Sequence, residues 1–351
     1  MAQISIPQPG HWSGQRARKW AGALLGHAAI IAVGMFFFIP FVWMLSTALK
    51  TDTDLGRPFH WIPRDNVYVP YQGQHVALYS RTINGREQRL GLLKNSTGVG
   101  TFVDLDDPTQ TFEMPMKSVR EETRISIRLE NIPTSLQKIP FLIYAKNTLI
   151  IAILVVLGTL VSCTLAGYGF ARVRWPGREI VFLIVLSTFM LPSQVTLVPL
   201  YIIYTRMLNW GDTFYPLIVP AFFGNAFDIF LLRQFFKSIP MELSDAARVD
   251  GANEWQIFTR VVLPLSTPVL ATVAVMTFLY AWNDLQGPLL YLSSSENLTI
   301  SIGLLQFRSL HVVEWNLLMA ASAVFALPII VLFFFAQKTF IQGVKLTGIK
   351  G

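Results

Sequence analysis

Ile239-Pro240-Met241-Glu242-Leu243-Ser244-Asp245-Ala246-Ala247-Arg248-Val249-Asp250-Gly251-Ala252-Asn253-Glu254-Trp255-Gln256 runs directly into Ile257-Phe258-Thr259-Arg260-Val261-Val262-Leu263-Pro264. The stretch predicts two short helices joined by a bend. Pro240 is tolerated in a first helical turn, and Glu242 and Asp245 complement the positive end of the helix. Gly251 can adopt the left-handed conformation that ends a helix. Asn253, with Gln256 three residues later, has the pattern of a capping box for the second helix. Ala246 and Ala247 carry almost no side chain, so another surface can approach the backbone closely. Acids and Arg248 surround that small-residue face, as suits a helix built to dock.

Working outward, the flanks are apolar and empty of charge. Asp, Glu, Lys and Arg are absent from Trp20–Leu49, Asn147–Ala171, Ile180–Thr205, Val261–Asn283 and Trp315–Gln337. A further stretch, Thr213–Leu232, holds one acid, Asp228. Since about 20 mostly apolar residues cross a bilayer, these are six candidate spans. Composition agrees: of 351 residues, 52% are hydrophobic and 14% charged, against about a quarter charged in soluble domains. The first span is too long and too far inside for a cleaved signal peptide. Leu285–Phe307 is sparse in charge but interrupted by Ser293-Ser294-Ser295-Glu296-Asn297, and reads as an outer connection that dips back toward the membrane.

Cation placement sets the expected orientation. Arg16, Arg18 and Lys19 precede span one, and Arg172, Arg174 and Arg178 separate spans two and three. Arg233, Lys237, Arg248 and Arg260 lie between spans four and five, and Lys338, Lys345 and Lys350 follow span six. The opposite short loops carry only Arg206 and Arg308. Both termini are therefore expected in the cytoplasm, and the excess of 28 Lys and Arg over 21 Asp and Glu needs no nucleic acid. The long segment Lys50–Lys146 is expected outside, because long loops translocate regardless of charge. Within it, His75–Arg81 and Arg89–Leu93 flank Asn84-Gly85, a hairpin signal. Thr101–Leu105 and Arg124–Leu129 alternate like half-buried strands. The acids of Asp104–Pro108 read as a turn; calcium is the alternative, though the spacing lacks an EF-hand pattern.

Asp245-Ala246-Ala247, Gly251 and Val261-Val262-Leu263-Pro264 resemble the signature loop of ABC-importer permeases. There Glu-Ala-Ala, a glycine four positions after the second alanine, and a later hydrophobic-x-Leu-Pro recur. Asp245 in place of Glu keeps the charge on a shorter side chain. The resemblance extends to the carbohydrate branch and its maltose-type second permease. It is carried by Asn147-Thr148-Leu149, Ala166-Gly167-Tyr168-Gly169-Phe170-Ala171-Arg172 and Trp175-Pro176-Gly177-Arg178. Phe230-Leu231-Leu232-Arg233-Gln234-Phe235-Phe236, Ala281-Trp282-Asn283-Asp284 and the tail Gln342–Gly351 also fit. Ala21–Lys50 and Leu129–Gly351 are covered; Trp61–Arg128 departs, standing where a short connection is expected.

The resemblance implies an all-α polytopic fold of six transmembrane helices, to which the hairpin and alternation signals add a small β-rich extracytoplasmic insertion between helices one and two. The expected organisation is a cytoplasmic tail over 1–19, helix one over 20–49 and the outer loop over 50–140. A permease core over 141–340 then contains a coupling loop over 237–262, and a second cytoplasmic tail covers 341–351. It further implies a non-enzymatic subunit of an ATP-driven sugar importer in a bacterial or archaeal cell membrane. Its expected partners are a second permease, a dimer of ATPase subunits, an extracytoplasmic solute-binding protein, the sugar and membrane lipid. Glu242, Asp245, Ala246, Ala247, Arg248, Asp250 and Gly251 would dock the ATPase. ATP and Mg belong to that partner, as no Gly-x-x-x-x-Gly-Lys-Ser/Thr loop occurs in the chain. Asn283 and Asp284, at the outer end of span five, are candidates for contact with the pathway or the binding protein.

The remaining chemistry-bearing residues are scattered. Cys163, the single cysteine, sits among uncharged neighbours and excludes an internal disulfide. His11, His27, His60, His75 and His311 lack metal-ligand spacing, so no metal or catalytic group is expected. Asp228 is a functional candidate as an acid within a span, but pairing with a nearby cation such as Arg233, or reaching water, is the plainer expectation. Gly22-x-x-x-Gly26 is a weak helix-packing signal. Pro192, Pro199, Pro216, Pro220, Pro264, Pro268 and Pro328 predict kinked spans, which suit a conduit. An importer of amino acids or polyamines is the alternative, followed by an intramembrane enzyme or a membrane-anchored sensor. The enzyme would need converging nucleophiles or paired acids, and the spans show one isolated acid.

Overall fold

The computed structural model describes residues 11–83, 86–96, 98–308 and 313–347 and divides into two compact units. One comprises Met1–Asn131 with Trp315–Ala320, the other Ile132–Glu314 with Ala321–Gly351. The Asn84-Gly85 turn, His311 and the last four residues of the tail lie outside the described residues.

The first unit opens with α1 (His11–Ala48), whose apolar surface is exposed from Trp20 to Val42. A helix apolar all round needs a nonaqueous surrounding. After the short α2 (Asp52–Leu55) come eight strands. They are β1 (Arg64–Asn66), β2 (Tyr68–Tyr71), β3 (Gln74–Ile83), β4 (Arg86–Ser96), β5 (Val99–Asp104), β6 (Thr111–Pro115), β7 (Arg120–Glu121) and β8 (Thr123–Ile125). Strands β2 to β6 form an antiparallel meander in chain order, β7 adds to β3, and β1 pairs with β8. The expected hairpin is present, with Ile83 opposite Arg86. Ala77, Tyr79, Leu90, Phe102 and Met114 form its core. The strand expected over Arg124–Leu129 stops at Ile125, because the chain must there turn back toward its entrance.

That return is held by hydrogen bonds. Asn131 Nδ2 donates to the carbonyls of Ala48 (2.8 Å) and Lys50 (2.9 Å), and the Arg128 amide donates to Leu49 (3.0 Å). Fully buried Asp54 accepts from Arg57 Nη1 (3.0 Å) and the Arg64 amide (2.9 Å), and meets His60 Nε2 at 2.8 Å. Entrance and exit thus meet, which lets a whole β module sit where a short connection is expected. The Asp104–Pro108 acids are used by the turn itself. Asp104 Oδ2 accepts from Gln88 (2.6 Å), and Asp107 Oδ1 accepts from the Thr109 hydroxyl (2.6 Å). Among the described residues no group of three metal-ligating side chains occurs.

In the second unit α3 (Asn131–Lys138) leads into α4 (Phe141–Ala171), longer at its start than the charge-free stretch because Lys146 is accommodated. Next come α5 (Arg178–Thr188) and α6 (Ser193–Ile202), bent by 91° across Pro192. α7 (Tyr215–Ile218) passes through a 3-10 turn into α8 (Ala226–Ser238). Then follow α9 (Met241–Val249), α10 (Glu254–Ile257), a π turn at Phe258–Val262, α11 (Leu263–Leu265) and α12 (Thr267–Trp282). α13 (Gln286–Tyr291) and α14 (Ile300–Leu305) occupy the expected outer connection, and α15 (Trp315–Thr347) closes the chain.

Among the described residues four helical stretches are long and apolar enough to cross a membrane, six if each bent pair counts as one. The second bent pair turns by 77° at Ser266, between Pro264 and Pro268, where proline removes backbone donors. The fold is a polytopic helical membrane protein with a small β-rich insertion. Its largest buried cluster joins Cys163, Tyr168 and Phe170 of α4 to Leu232 and Phe236 of α8, and to Ile257, Phe258 and Val262. Gly167 permits close approach there: a Cβ would stand a tight 3.1 Å from Leu232 Cβ and 3.3 Å from the Arg233 amide. The core therefore sits directly on the Met241–Val262 elbow.

Candidate functional site

The elbow follows local rules. α9 begins after Pro240, and Glu242 lies in its first turn. Its end is a complete Schellman motif: Gly251 has φ +84°, its amide donates to Arg248 O (3.0 Å), and the Ala252 amide donates to Ala247 O (2.9 Å). α10 starts with a reciprocal capping box, Gln256 N to Asn253 Oδ1 and Asn253 N to Gln256 Oε1, both 2.9 Å. Two helices meet at a bend whose every residue has a stereochemical role.

Side chains brace that bend. Arg248 donates through Nη1 to Asp245 Oδ1 (2.7 Å) and through Nη2 to Glu254 Oε1 (2.8 Å). Exposed ion pairs of this kind each contribute at most about 1 kcal/mol. The second oxygen of Glu254 accepts from the Tyr168 hydroxyl at 2.8 Å, which carries the network into the end of α4. Buried Arg172, just past that helix, donates to the carbonyls of Phe236 (2.9 Å) and Ile239, fixing the link from α8 to α9. Arg233 donates to Phe170 O (3.2 Å), pairs with Glu179 and lies 3.8 Å from the centre of the Phe182 ring. The elbow is thus a rigid attachment of the bundle, not a loose connector.

The expected docking residues divide into two sets. Glu242, Asp245, Ala246, Arg248, Asp250 and Gly251 are exposed. Ala247 instead is partly buried and packs with Ala252 against the large cluster. Val249 (88% exposed), Trp255 (63%) and Leu243 (44%) add an apolar outer surface that the sequence reading passed over. Also missed were Tyr168, Arg172 and Glu254. Tyr168 and Arg172 stand in a quoted motif, but only the fold shows what they hold.

Asn283 is exposed and turned back on its own helix, donating to Leu279 O (2.8 Å). Asp284 lines a cavity of about 720 Å³ within the helical unit. Asp228 lines the same cavity and is 6% exposed, with Oδ2 accepting from Asn225 Nδ2 at 2.6 Å. Among the described residues Asp228 has no cation partner, Arg233 being turned toward Glu179, and its carboxylate reaches the cavity instead. Asp228 and Asp284 stand 56 positions apart, so no local pattern signals that they meet one cavity.

The helical unit is a kinked multispan bundle with a solvent-exposed, small-residue elbow. Residues 158–346 match the family described as binding-protein-dependent transport system inner membrane component, and the chain belongs to that family. It is 36% identical to the maltodextrin transport system permease protein of Bacillus subtilis, over 60% of this chain and 76% of that protein. It is 34% identical to the arabinooligosaccharides transport system permease protein of the same organism, over 58% and 72%. In fold it is similar to a bacterial ABC transporter involved in the import of the acidic polysaccharide alginate. That likeness has a TM-score of 0.63 and 19% identity, and covers 95% of this chain and 100% of the other.

Proposed function

We propose that the chain is the permease subunit of an ATP-driven importer for a sugar or oligosaccharide, in a bacterial or archaeal cell membrane. The sugar class is supported by the maltodextrin and arabinooligosaccharide relatives. The observation that carries the mechanism is the braced elbow. Its exposed Glu242, Asp245, Ala246, Arg248, Asp250 and Gly251 form the docking surface for an ATPase subunit, which binds ATP and Mg. Val249 and Trp255 supply apolar contact. A second permease completes the pathway, and an extracytoplasmic binding protein delivers the solute. Both termini and the elbow lie in the cytoplasm, and the β module lies outside.

The mechanics follow from the packing. When the ATPase pair closes, the docked α9–α10 elbow moves with it. The Tyr168–Glu254 bond and the Arg172 clamp pass that displacement to α4 and α8. Energy enters as differential affinity of the ATPases for the two conformations of the bundle. This chain supplies a lever and part of a wall, and no bond-breaking step.

A Val249→Cys variant, crosslinked in native membranes, tests the assignment. The expected product joins this chain to an ATP-binding subunit, and its yield changes when a nonhydrolysable nucleotide is added. Crosslinks only to extracytoplasmic proteins would overturn the reading.

A further inference from the structure

The 720 Å³ cavity carries two carboxylates, Asp228 and Asp284, and among the described residues no Lys, Arg or His lines it. Its walls also present Phe189, Phe227, Tyr204 and Tyr280, with the first two rings stacked at 5.9 Å. We propose, resting on the sugar-importer reading, that this cavity is a charge filter admitting neutral and cationic sugars and rejecting anionic ones.

The reasoning is electrostatic. A carboxylate within a span, as Asp228 is, is costly, and one that persists faces a cavity or a partner; Asp284 follows the end of α12. Asp228 places one oxygen on Asn225 and Asp284 Oδ1 accepts from the Gly287 amide at 3.1 Å. Neither arrangement supplies a positive charge. In their ionised form, two carboxylates in a low-dielectric concavity focus a negative potential on whatever enters. A neutral sugar offers hydroxyl donors to acceptor-only carboxylates and flat C–H faces to the aromatic walls. An amino sugar adds attraction. A uronate or a sulfated or phosphorylated sugar meets repulsion from both acids and brings no donor on its charged group. This separates the chain from the alginate importer of similar fold, whose cargo is acidic.

The test reads the cavity potential directly. Ser193→Cys and Thr277→Cys, both on the cavity wall, are made one at a time in the assembled transporter, the parent chain giving the background of buried Cys163. Each thiol is reacted with a cationic and an anionic methanethiosulfonate reagent, and the rates are normalised to a free thiol in solution. The expected normalised rate is roughly tenfold or more in favour of the cation at both positions. Asp228→Asn and Asp284→Asn, singly, each reduce that preference, and the pair abolishes it. Equal normalised rates in the parent background would overturn the filter. So would a preference that neither single substitution diminishes, or thiols unreactive to both reagents, which would mean a cavity closed to solute. Failure of the sugar-importer reading would show separately, as an absence of ATP-dependent sugar uptake with the cationic preference intact.

Discussion

The Tyr168 hydroxyl donates to Glu254 Oε2 across 2.8 Å, joining the last turn of α4 to the first residue of α10. The same carboxylate accepts from Arg248, so one side chain links the membrane-side core to both arms of the elbow.

Removing either end of that bond should loosen the lever without unfolding the bundle. Tyr168→Phe keeps the ring in the core and deletes one hydrogen bond to a charged group, a loss of about 1.5–3 kcal/mol. Uptake is expected to fall several-fold while membrane insertion stays unchanged. A double-mutant cycle with Glu254→Gln, read by thermal denaturation in detergent, should give a coupling of about 0.5–3 kcal/mol. Strict additivity would refute the link.

Gly251 is held at φ +84°, a conformation costing other L-residues about 1–2 kcal/mol. Gly251→Ala should therefore weaken ATPase co-purification, with Gly251→Asn milder, since Asn tolerates the left-handed region. Gly251→Pro should abolish assembly, because proline cannot adopt positive φ and removes the donor to Arg248 O. Equal assembly by all three would show that the turn geometry does not matter for docking.

The two neighbouring alanines should part company. Ala246 is exposed, so Ala246→Trp should block docking while leaving the melting temperature of the isolated permease within a degree or two. Ala247 packs against the core, so Ala247→Trp should lower that temperature through overpacking, by about 1–3 kcal/mol of stability. Identical thermal behaviour would contradict the packing.

Asp212 anchors the loop after α13. Its Oδ1 accepts the amides of Ser293 (2.9 Å) and Ser294 (3.0 Å), which pull its carboxyl down from the ordinary 3.8 to about 2. A depressed folded value means the anchoring is complete above 3.8 and is lost as pH falls through about 2. Protection of the Ser293 and Ser294 amides from hydrogen exchange should fall across that window in the wild type. In Asp212→Asn the protection should be weak and flat. A flat wild-type profile would remove the carboxylate from the account.

Much of the architecture was legible in the chain. Charge-free runs mark hydrocarbon, and the Asn84-Gly85 signal with its alternating flanks marks a hairpin, because both depend on near neighbours. Gly251 and the Asn253–Gln256 box were legible for the same reason: caps are local stereochemistry. The 91° bend across Pro192 was visible only as a proline, since its angle is set by what the two arms pack against. The Arg124–Leu129 alternation misled beyond Ile125, because the Arg128 and Asn131 bonds to Leu49, Ala48 and Lys50 outweigh strand propensity there.

By itself the sequence determined the membrane class, the apolar segments long enough to cross, and the bent elbow between two of them. Each follows from apolar run length or from residues within four positions of one another. Tertiary structure alone decided which alanine faces outward, that Tyr168 and Glu254 meet across 86 positions, and that Asp228 and Asp284 share a cavity. Those outcomes depend on how helices rotate and close-pack against each other, and no local pattern encodes that rotation.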